Sequence, residues 1–565
     1  MNNALATSDA PALPTERPRV HPLTLTVVRH KLQAIAEEMV QTMTRTCFSP
    51  HLNQSQDFSG VVLDADARVL AQAERVPIHM GAMPMAVREM ARAFPDLAEG
   101  DVLMANDPYW GGSHLPDITL AKPVFTDGRL AFWVAMRAHQ GDIGGMSAGG
   151  YSPDAREIWQ EGLRIPPVRL VEGGTLRHDL VRLVASNSRK SEDTQGDVLA
   201  ELAAVNIGAD RLGDLFRRYG GADVIGCIEA ILDAGEAAMR VQISKWKDGI
   251  FHGVGELESG GASGQGVAIP VTVEIRNDRA VVDFTECCDQ VTSFINSPIA
   301  NTRAAVYVAF QYLSDDARAQ NDGSTRAIEI RTRPGSLVDP VSPAPVAACT
   351  ILTASAIIEA VLKAMTAAAP DAVMGGFARR FRFAVAGKDR AGRSFIWHYF
   401  FNRGGAGANA RHDGWSNLGV IHNPGGTPSP SIERTESAYP FVVEEYALRA
   451  NSGGSGRHRG GLGGVFKMRY AGAEPAILNA AGEGLRLAPY GVSGGLPGAL
   501  NDIRIATKRG DQKVGGRTYG MQLEPGDTIV CLSAGGGGCG PASDRAPDAL
   551  KRDLVFGYVT PHASR

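Results

Sequence analysis

The sequence predicts a multi-domain α+β protein, a mixed fold of antiparallel sheets and several long helices, and three observations carry that expectation. The chain has 565 residues, beyond the length at which one hydrophobic core keeps growing, so it should divide into several packed units. Apolar residues recur at helical spacing in Val27, Val28, Leu32, Ile35, Ala36, Met39 and Met43, with charge on the opposite face. Residues 250–345 instead alternate apolar with polar, as in Val271-Thr272-Val273-Glu274-Ile275 and Ala280-Val281-Val282-Asp283-Phe284, the period of antiparallel strands with one face wet.

Taken in order, residues 1–21 are rich in Pro, Ala and Thr without periodicity, which predicts a flexible tail. Residues 22–215 form an N-terminal region that holds the metal candidates. In it, a helix over Leu23–Cys47 precedes strand-like runs at Gly60–Leu63 and Val69–Ala71, joined by a hairpin turn at Asp64-Ala65-Asp66-Ala67. Met83–Phe94 reads as a helix, and Val102–Met104, Ile118–Val124 and Leu130–Met136 as strands bounded by Gly, Asp or Pro. A helix at Leu199–Tyr219 closes this region. Residues 216–345 start with a helix at Ile225–Trp246, ended by Lys247-Asp248-Gly249, and continue as the antiparallel sheet region. Residues 346–565 form a C-terminal α+β region: an alanine-rich helix over Thr350–Ala369 stopped by Pro370, then strands such as Trp397–Phe401, Phe441–Leu448 and Thr528–Leu532.

Composition excludes some partners. With 57 basic against 61 acidic residues the net charge is -4, so neither nucleic acid nor an anionic membrane has an electrostatic reason to bind. The seven cysteines lack CxxC or zinc-finger spacing, which reads as reduced thiols. Neither a signal-peptide h-region nor an uncharged apolar run of about 18 residues is present, and a soluble, cytoplasmic protein is expected.

The densest polar cluster runs from Asn106-Asp107-Pro108-Tyr109 through Gly111-Gly112-Ser113-His114-Leu115-Pro116-Asp117 into the strand at Ile118. His114 and Asp117, three residues apart around a proline, can converge on one ion from a loop. His139, at the end of the next apolar run, becomes their neighbour if the two strands pair. Mixed His and carboxylate donors suit Zn²⁺, Mn²⁺ or Fe²⁺ better than Ca²⁺ or Mg²⁺. On spacing alone, an HxxD pair reads as surface or capping chemistry more often than as a metal site.

A resemblance adds to that reading. The NDPY-to-HLPD block, Ala138-His139 with Asp142-Ile143-Gly144-Gly145, and Gln160-Glu161-Gly162-Leu163 resemble the hydantoinase B/oxoprolinase family. So do Asp57-Phe58-Ser59-Gly60, Pro77-Ile78-His79-Met80-Gly81, Asp283-Phe284 with Asn296, Asp413-Gly414, and Ser452–Gly456 with Arg459-Gly460-Gly461. The similarity covers about residues 23–545. One departure is Gln140, where relatives often carry a second histidine.

Carried over position by position, the resemblance implies metal ligation by Asp57, His114, Asp117 and His139, with zinc first and manganese or iron as alternatives. It implies an ATP-dependent cyclic amidohydrolase of hydantoinase, oxoprolinase or lactamase type that hydrolyses a ring amide. This chain is then the metal-binding beta subunit, and a hydantoinase A-type subunit binds ATP and Mg, expected as an (αβ)2 heteromer. Asp142 and Glu161 are first choices for the catalytic base or for orienting ligands. Two other readings stay open: a subunit of an ATP-dependent ketone carboxylase of acetone or acetophenone carboxylase type, and a non-catalytic structural subunit.

Other features are weaker. His79 either hydrogen-bonds a ligand from outside or packs at a turn. Gly404–Gly407 and Ser452–Gly464 lack the GxxxxGK[ST] pattern and read as structural turns, with Arg457-His458-Arg459 a solvated basic turn. Cys287-Cys288 has no histidine to activate it.

Overall fold

The computed structural model describes residues 21–561, apart from positions 74, 151, 261–263, 316–319, 402 and 425–427. The expected flexible tail therefore lies, except for His21, outside the described residues. His21 caps the first helix, α1 (Pro22–Thr46): its Nδ1 accepts from the Leu23 N–H at 3.2 Å, and Pro22 occupies the first turn, where a missing N–H is harmless. Val28, Leu32, Ile35, Ala36, Met39, Val40 and Met43 are the buried face of α1. Burying each of its larger side chains stabilises by about 1.5–3 kcal/mol.

That face lies on the first sheet. A one-turn helix, α2 (Pro50–Asn53), leads to β1 (Phe58–Asp64) and β2 (Val69–Ala73), which form the expected hairpin. The turn holds because the Asp64 carboxylate accepts from the Asp66 and Arg68 N–H groups while Ala67 takes a positive φ of 55°. Next come α3 (Pro77–Ala93), β3 (Val102–Ala105), β4 (Asp117–Thr126), β5 (Arg129–His139), β6 (Val168–Glu172) and β7 (Thr175–Leu176). The sheet order is β2-β1-β5-β4-β3-β6-β7, antiparallel throughout. Successive side chains of β1 and β5 enter opposite cores: Val62, Val134 and Met136 pack with α1, while Val61, Leu63, Trp133 and Ala135 pack with Met83, Val87 and Met90 of α3. A sheet covered on both faces explains why these strands read as unbroken apolar runs.

Helix α3 begins six residues before the expected Met83, at Pro77. Pro84 inside it forfeits one backbone bond, and tertiary burial carries the helix past that point. α4 (His178–Ser186), α5 (Ser191–Tyr219) and α6 (Gly221–Ile243) follow, with α5 lying against α1, β4 and β5.

The second sheet, β8 (Gly249–Leu257), β9 (Val267–Arg276), β10 (Arg279–Asp283) and β11 (Ile328–Arg331), has the order β11-β10-β9-β8. It is antiparallel except for β10 with β11, which pair in parallel, a correction to the expected all-antiparallel region. A parallel pair needs a crossover, and α7 (Ile299–Tyr312) and α8 (Asp322–Thr325) supply it. The expected Thr350–Ala369 helix is a π-helical turn at Cys349–Thr353 followed by α9 (Ala354–Ala364).

The C-terminal region packs two sheets around one aromatic core containing Phe383, Trp397, Tyr399, Phe401, Phe441, Phe466 and Tyr470. Beside it, the glycine-rich runs lie backbone to backbone. A Cβ on Gly405 would sit 2.0 Å from the Gly461 carbonyl oxygen, and one on Gly536 would sit 1.8 Å from that of Ala406. These positions admit no side chain, so the runs are structural, as expected. The α+β class with antiparallel sheets and long helices is what the structure shows. Among the described residues no helix is long and apolar enough to cross a membrane.

Candidate metal centre and its cleft

Strand register assembles the site. Asp117 opens β4, His139 closes β5, and the antiparallel pairing makes them direct partners. The His139 N–H donates to the Asp57 carbonyl at 3.0 Å, fixing the residue just before β1 at the same sheet edge. His114 belongs to the turn before β4, where the Asp117 N–H closes a bond to the His114 carbonyl at 3.0 Å. The structure thus gathers His114, Asp117 and His139 into one donor group, while Asp57 falls into a second group that shares only His139 with the first.

Asp117 Oδ1 lies 3.0 Å from both His114 Nε2 and His139 Nδ1, and those two nitrogens are 3.1 Å apart. Edges of about 3 Å put the three atoms close enough that they would serve one divalent ion. A second donor group shares His139 and adds Asp57 and His51, with His51 Nε2 3.4 Å from Asp57 Oδ2. His79 Nε2 stands 3.5 Å from Asp117 Oδ2 and 3.8 Å from Asp57 Oδ1, so His79 serves the cluster from the first turn of α3. All six side chains are buried.

Electrostatics follow from that crowding. Burial alone would raise the two carboxyls, but the facing imidazoles outweigh it and hold Asp57 and Asp117 well below the usual range. Burial pulls His51 down to about 4 and lowers His79, against the attraction of the carboxylates. For His114 the balance reverses: burial lowers it, yet Asp117 and the Ala347 carbonyl raise it overall. Its Nδ1 donates to that carbonyl at 2.9 Å, which directs Nε2 at Asp117 and His139.

Asp142 and Glu161 belong to neither donor group. Asp142 accepts from the Gly149 N–H at 3.0 Å, the Arg189 N–H at 2.8 Å and the Arg189 guanidinium at 3.1 Å. It thereby ties the loop after β5 to the segment before α5. Glu161 accepts from the Val346 and Ala347 N–H groups at 2.9 and 2.8 Å, and burial lifts its carboxyl to about 8 against those two bonds.

Asp57, His79, His114 and His139 line a cleft together with Arg380, Arg382, Phe400, Arg403 and His422 from the C-terminal region. Phe400 also lines a neighbouring cavity that contains His51 and Asp142. Sequence reasoning missed His51 and these C-terminal residues. His51 follows a Ser49-Pro50 helix start with no ligand-like spacing, and the arginines sit in a strand and loops without a motif.

Comparison with known proteins agrees with this architecture. The chain is 33% identical to caprolactamase subunit beta of Pseudomonas jessenii, over 97% of this chain and 95% of that one. It is 30% identical to 5-oxoprolinase 1 of Arabidopsis thaliana, covering 91% of this chain but 41% of that longer protein. The crystal structure of the ATP-dependent caprolactamase from Pseudomonas jessenii superposes with a TM-score of 0.91 at 31% identity, over 97% of this chain and 96% of that one. The profile of the family described as hydantoinase B/oxoprolinase matches residues 21–542, the whole span that builds both the sheet edge and the C-terminal side of the cleft. The chain belongs to the hydantoinase B/oxoprolinase family.

Proposed function

We propose that this chain is the metal-holding subunit of an ATP-dependent cyclic amidohydrolase, with a divalent ion, zinc first, bound by Asp57, His114, Asp117 and His139. The observation that carries this is the triangle of buried donors on Asp117, His114 and His139, with edges of 3.0, 3.0 and 3.1 Å, two of which, His114 and His139, line the cleft. Its support is the family and the relatives named for lactam hydrolysis. The ATP-binding partner of hydantoinase A type belongs to the same reading, as does assembly with it into an (αβ)2 heteromer.

Two aspartates and two neutral imidazoles neutralise a divalent charge, and such an ion supplies Lewis acidity toward a carbonyl or a water. The chain's own residues do the rest. Ala347 orients His114, Ser113 donates to Asp117 Oδ2 at 2.5 Å, and Arg382 lies 3.8 Å from Asp57. Phe400 and its neighbours bury the centre and limit water. In this reading Asp142 and Glu161 are positioning residues: Asp142 sets the loop after β5, and Glu161 holds the Ala347 segment that aims His114.

The test is metal analysis of the purified chain, followed by assay with its ATP-binding partner for lactam ring opening against bicarbonate-dependent ketone carboxylation. Stoichiometric metal and ATP-dependent ring opening, both lost in His139→Ala, are expected. Carboxylation without ring opening overturns the hydrolase, and activity retained in a metal-free His139→Ala complex overturns the catalytic metal.

A further inference from the structure

Two adjacent thiols lie outside the metal centre and its cleft. Cys287 and Cys288 occupy the turn after β10, and their settings differ: Cys287 is 2% exposed, whereas Cys288 is exposed, as none of the other six cysteines is. The backbone of this turn is pinned on both sides. The Cys287 N–H donates to the Phe284 carbonyl at 2.9 Å, and the Leu337 N–H donates to the Cys288 carbonyl at 3.0 Å. The carbonyl between the two residues, that of Cys287, accepts from the Arg333 guanidinium at 3.0 Å, and Arg333 also pairs with Asp289 at 2.8 Å. The two side chains are thus held in one relation, with a guanidinium beside them.

The Cys287 thiol donates a hydrogen bond to the Cys288 sulfur. That bond, with burial, pushes Cys287 up, and it brings Cys288 down to about 7, with Arg333 assisting while burial and Asp289 oppose. Burial instead raises Cys47, Cys227, Cys349, Cys531 and Cys539. The pair therefore keeps its proton on the buried sulfur and its charge on the exposed one, an attacking thiolate with a second thiol directly behind it.

We propose that Cys287-Cys288 is a thiol–disulfide exchange site for low-molecular-weight disulfides. The Cys288 thiolate attacks one sulfur of a disulfide RSSR; its S–S bond breaks, a mixed disulfide forms on Cys288 and a thiolate leaves. Cys287 gives its proton to that thiolate and attacks the Cys288 sulfur, which expels the second thiolate to be protonated by water. Two protein thiols are oxidised to one Cys287–Cys288 disulfide, and RSSR is reduced to two thiols. Burial of Cys287 fixes the order, with Cys288 reacting first. The site is independent of the metal and of the hydrolase reading.

Glutathione disulfide is the probe, applied to the reduced full-length chain without denaturant. Both cysteines fall in one tryptic peptide, Ala280–Arg303, so peptide mass spectrometry reads each state. In wild type that peptide should lose two hydrogens and recover them in excess glutathione. In Cys287→Ala the second step is missing, and glutathione should stay on Cys288. In Cys288→Ser the buried Cys287 should stay unmodified. Before oxidation, iodoacetamide at pH 7 should alkylate Cys288 about fivefold faster in wild type than in Cys287→Ala: a roughly fiftyfold gain in thiolate is offset by the weaker nucleophilicity of a less basic sulfur.

Glutathione that persists on wild-type Cys288 without an internal disulfide overturns the proposal, and so does a wild-type peptide that does not react. Equal alkylation of Cys288 in wild type and folded Cys287→Ala removes the activation on which it rests. Modification of Cys287 in folded Cys288→Ser overturns the order of attack. Should Cys287→Ala fail to fold, the wild-type peptide and Cys288→Ser decide between exchange by the pair and its absence.

Discussion

Asp117 and His139 are direct cross-strand partners on β4 and β5, with carboxylate Oδ1 3.0 Å from imidazole Nδ1. A one-residue slip of either strand would turn its side chain to the opposite face of the sheet, away from its partner, so the fold of the first region and this donor pair are one feature. Substituting Asp117→Asn or His139→Ala should leave less bound metal than wild type after equal dialysis, measured by elemental analysis. The loss should exceed the 10–100-fold typical of removing an outer hydrogen-bond partner. Retention of stoichiometric metal by both variants would refute the assigned ligand set.

Glu161 acts at one remove. It holds the Val346 and Ala347 N–H groups, and the Ala347 carbonyl accepts from His114 Nδ1. Glu161→Ala should therefore weaken metal affinity by about 10–100-fold while the ligands stay intact, and Glu161→Gln, which keeps an acceptor oxygen, should recover part of the loss. Competition with a chromophoric chelator reads this directly. A purely catalytic role for Glu161 predicts unchanged affinity in both.

Much of this was legible in the sequence, for identifiable reasons. α1, α5 and α6 announced themselves by period, and the hairpin at Asp64–Ala67 by turn chemistry. The NDPY-to-HLPD block marked His114 and Asp117 because those donors are close in the chain. His79 was marked by the resemblance, whereas His51 and the three arginines reach the site only through tertiary packing, the arginines from the C-terminal region, and no local spacing encodes that. α7 was hidden because nine of its fourteen residues are buried, leaving little polar face to set a period. The parallel pairing of β10 with β11 was hidden with it.

The raised Glu161 carboxyl makes a pH prediction. Its folded value is about 8 against an ordinary 4.5, so the folded chain binds a proton that the unfolded chain has released. Linkage then sets the sign: stability contributed by that proton is full below about 4.5, declines as pH rises, and is gone above about 8. At one pKa unit per 1.36 kcal/mol, the span is on the order of several kcal/mol. In chelator-treated protein, denaturant titrations should show wild type losing stability relative to Glu161→Gln between pH 5 and 8. A difference that is flat over that window would show that Glu161 is ionised in the fold.

Metal release should be visible in the melting temperature. A ligand that binds only the folded chain stabilises it by about 2.7 kcal/mol at one hundred times its Kd. The raised His114 imidazole means that protons compete with the ion for Nε2. Thermal melts with and without excess zinc should therefore separate more at pH 8 than at pH 6, and the separation should vanish in His139→Ala. An equal shift in the variant would place the stabilising ion somewhere else on the chain.

The glycine stack offers a test that does not involve the metal. At Gly536 a Cβ would lie 1.8 Å from the Ala406 carbonyl oxygen and 2.2 Å from its carbon, both backbone atoms that cannot rotate away. Overpacking usually costs about 1–3 kcal/mol because side chains and backbone share the adjustment, and here only backbone can give. Gly536→Ala should cost at least the top of that range, seen as a lower urea midpoint or as insoluble protein. Gly128→Ala makes the contrast: its Cβ meets nothing within 4 Å, and its φ of +72° leaves only turn strain, about 1–2 kcal/mol. If Gly536→Ala proves no more destabilising than Gly128→Ala, the close backbone contact is not what the glycine runs are for.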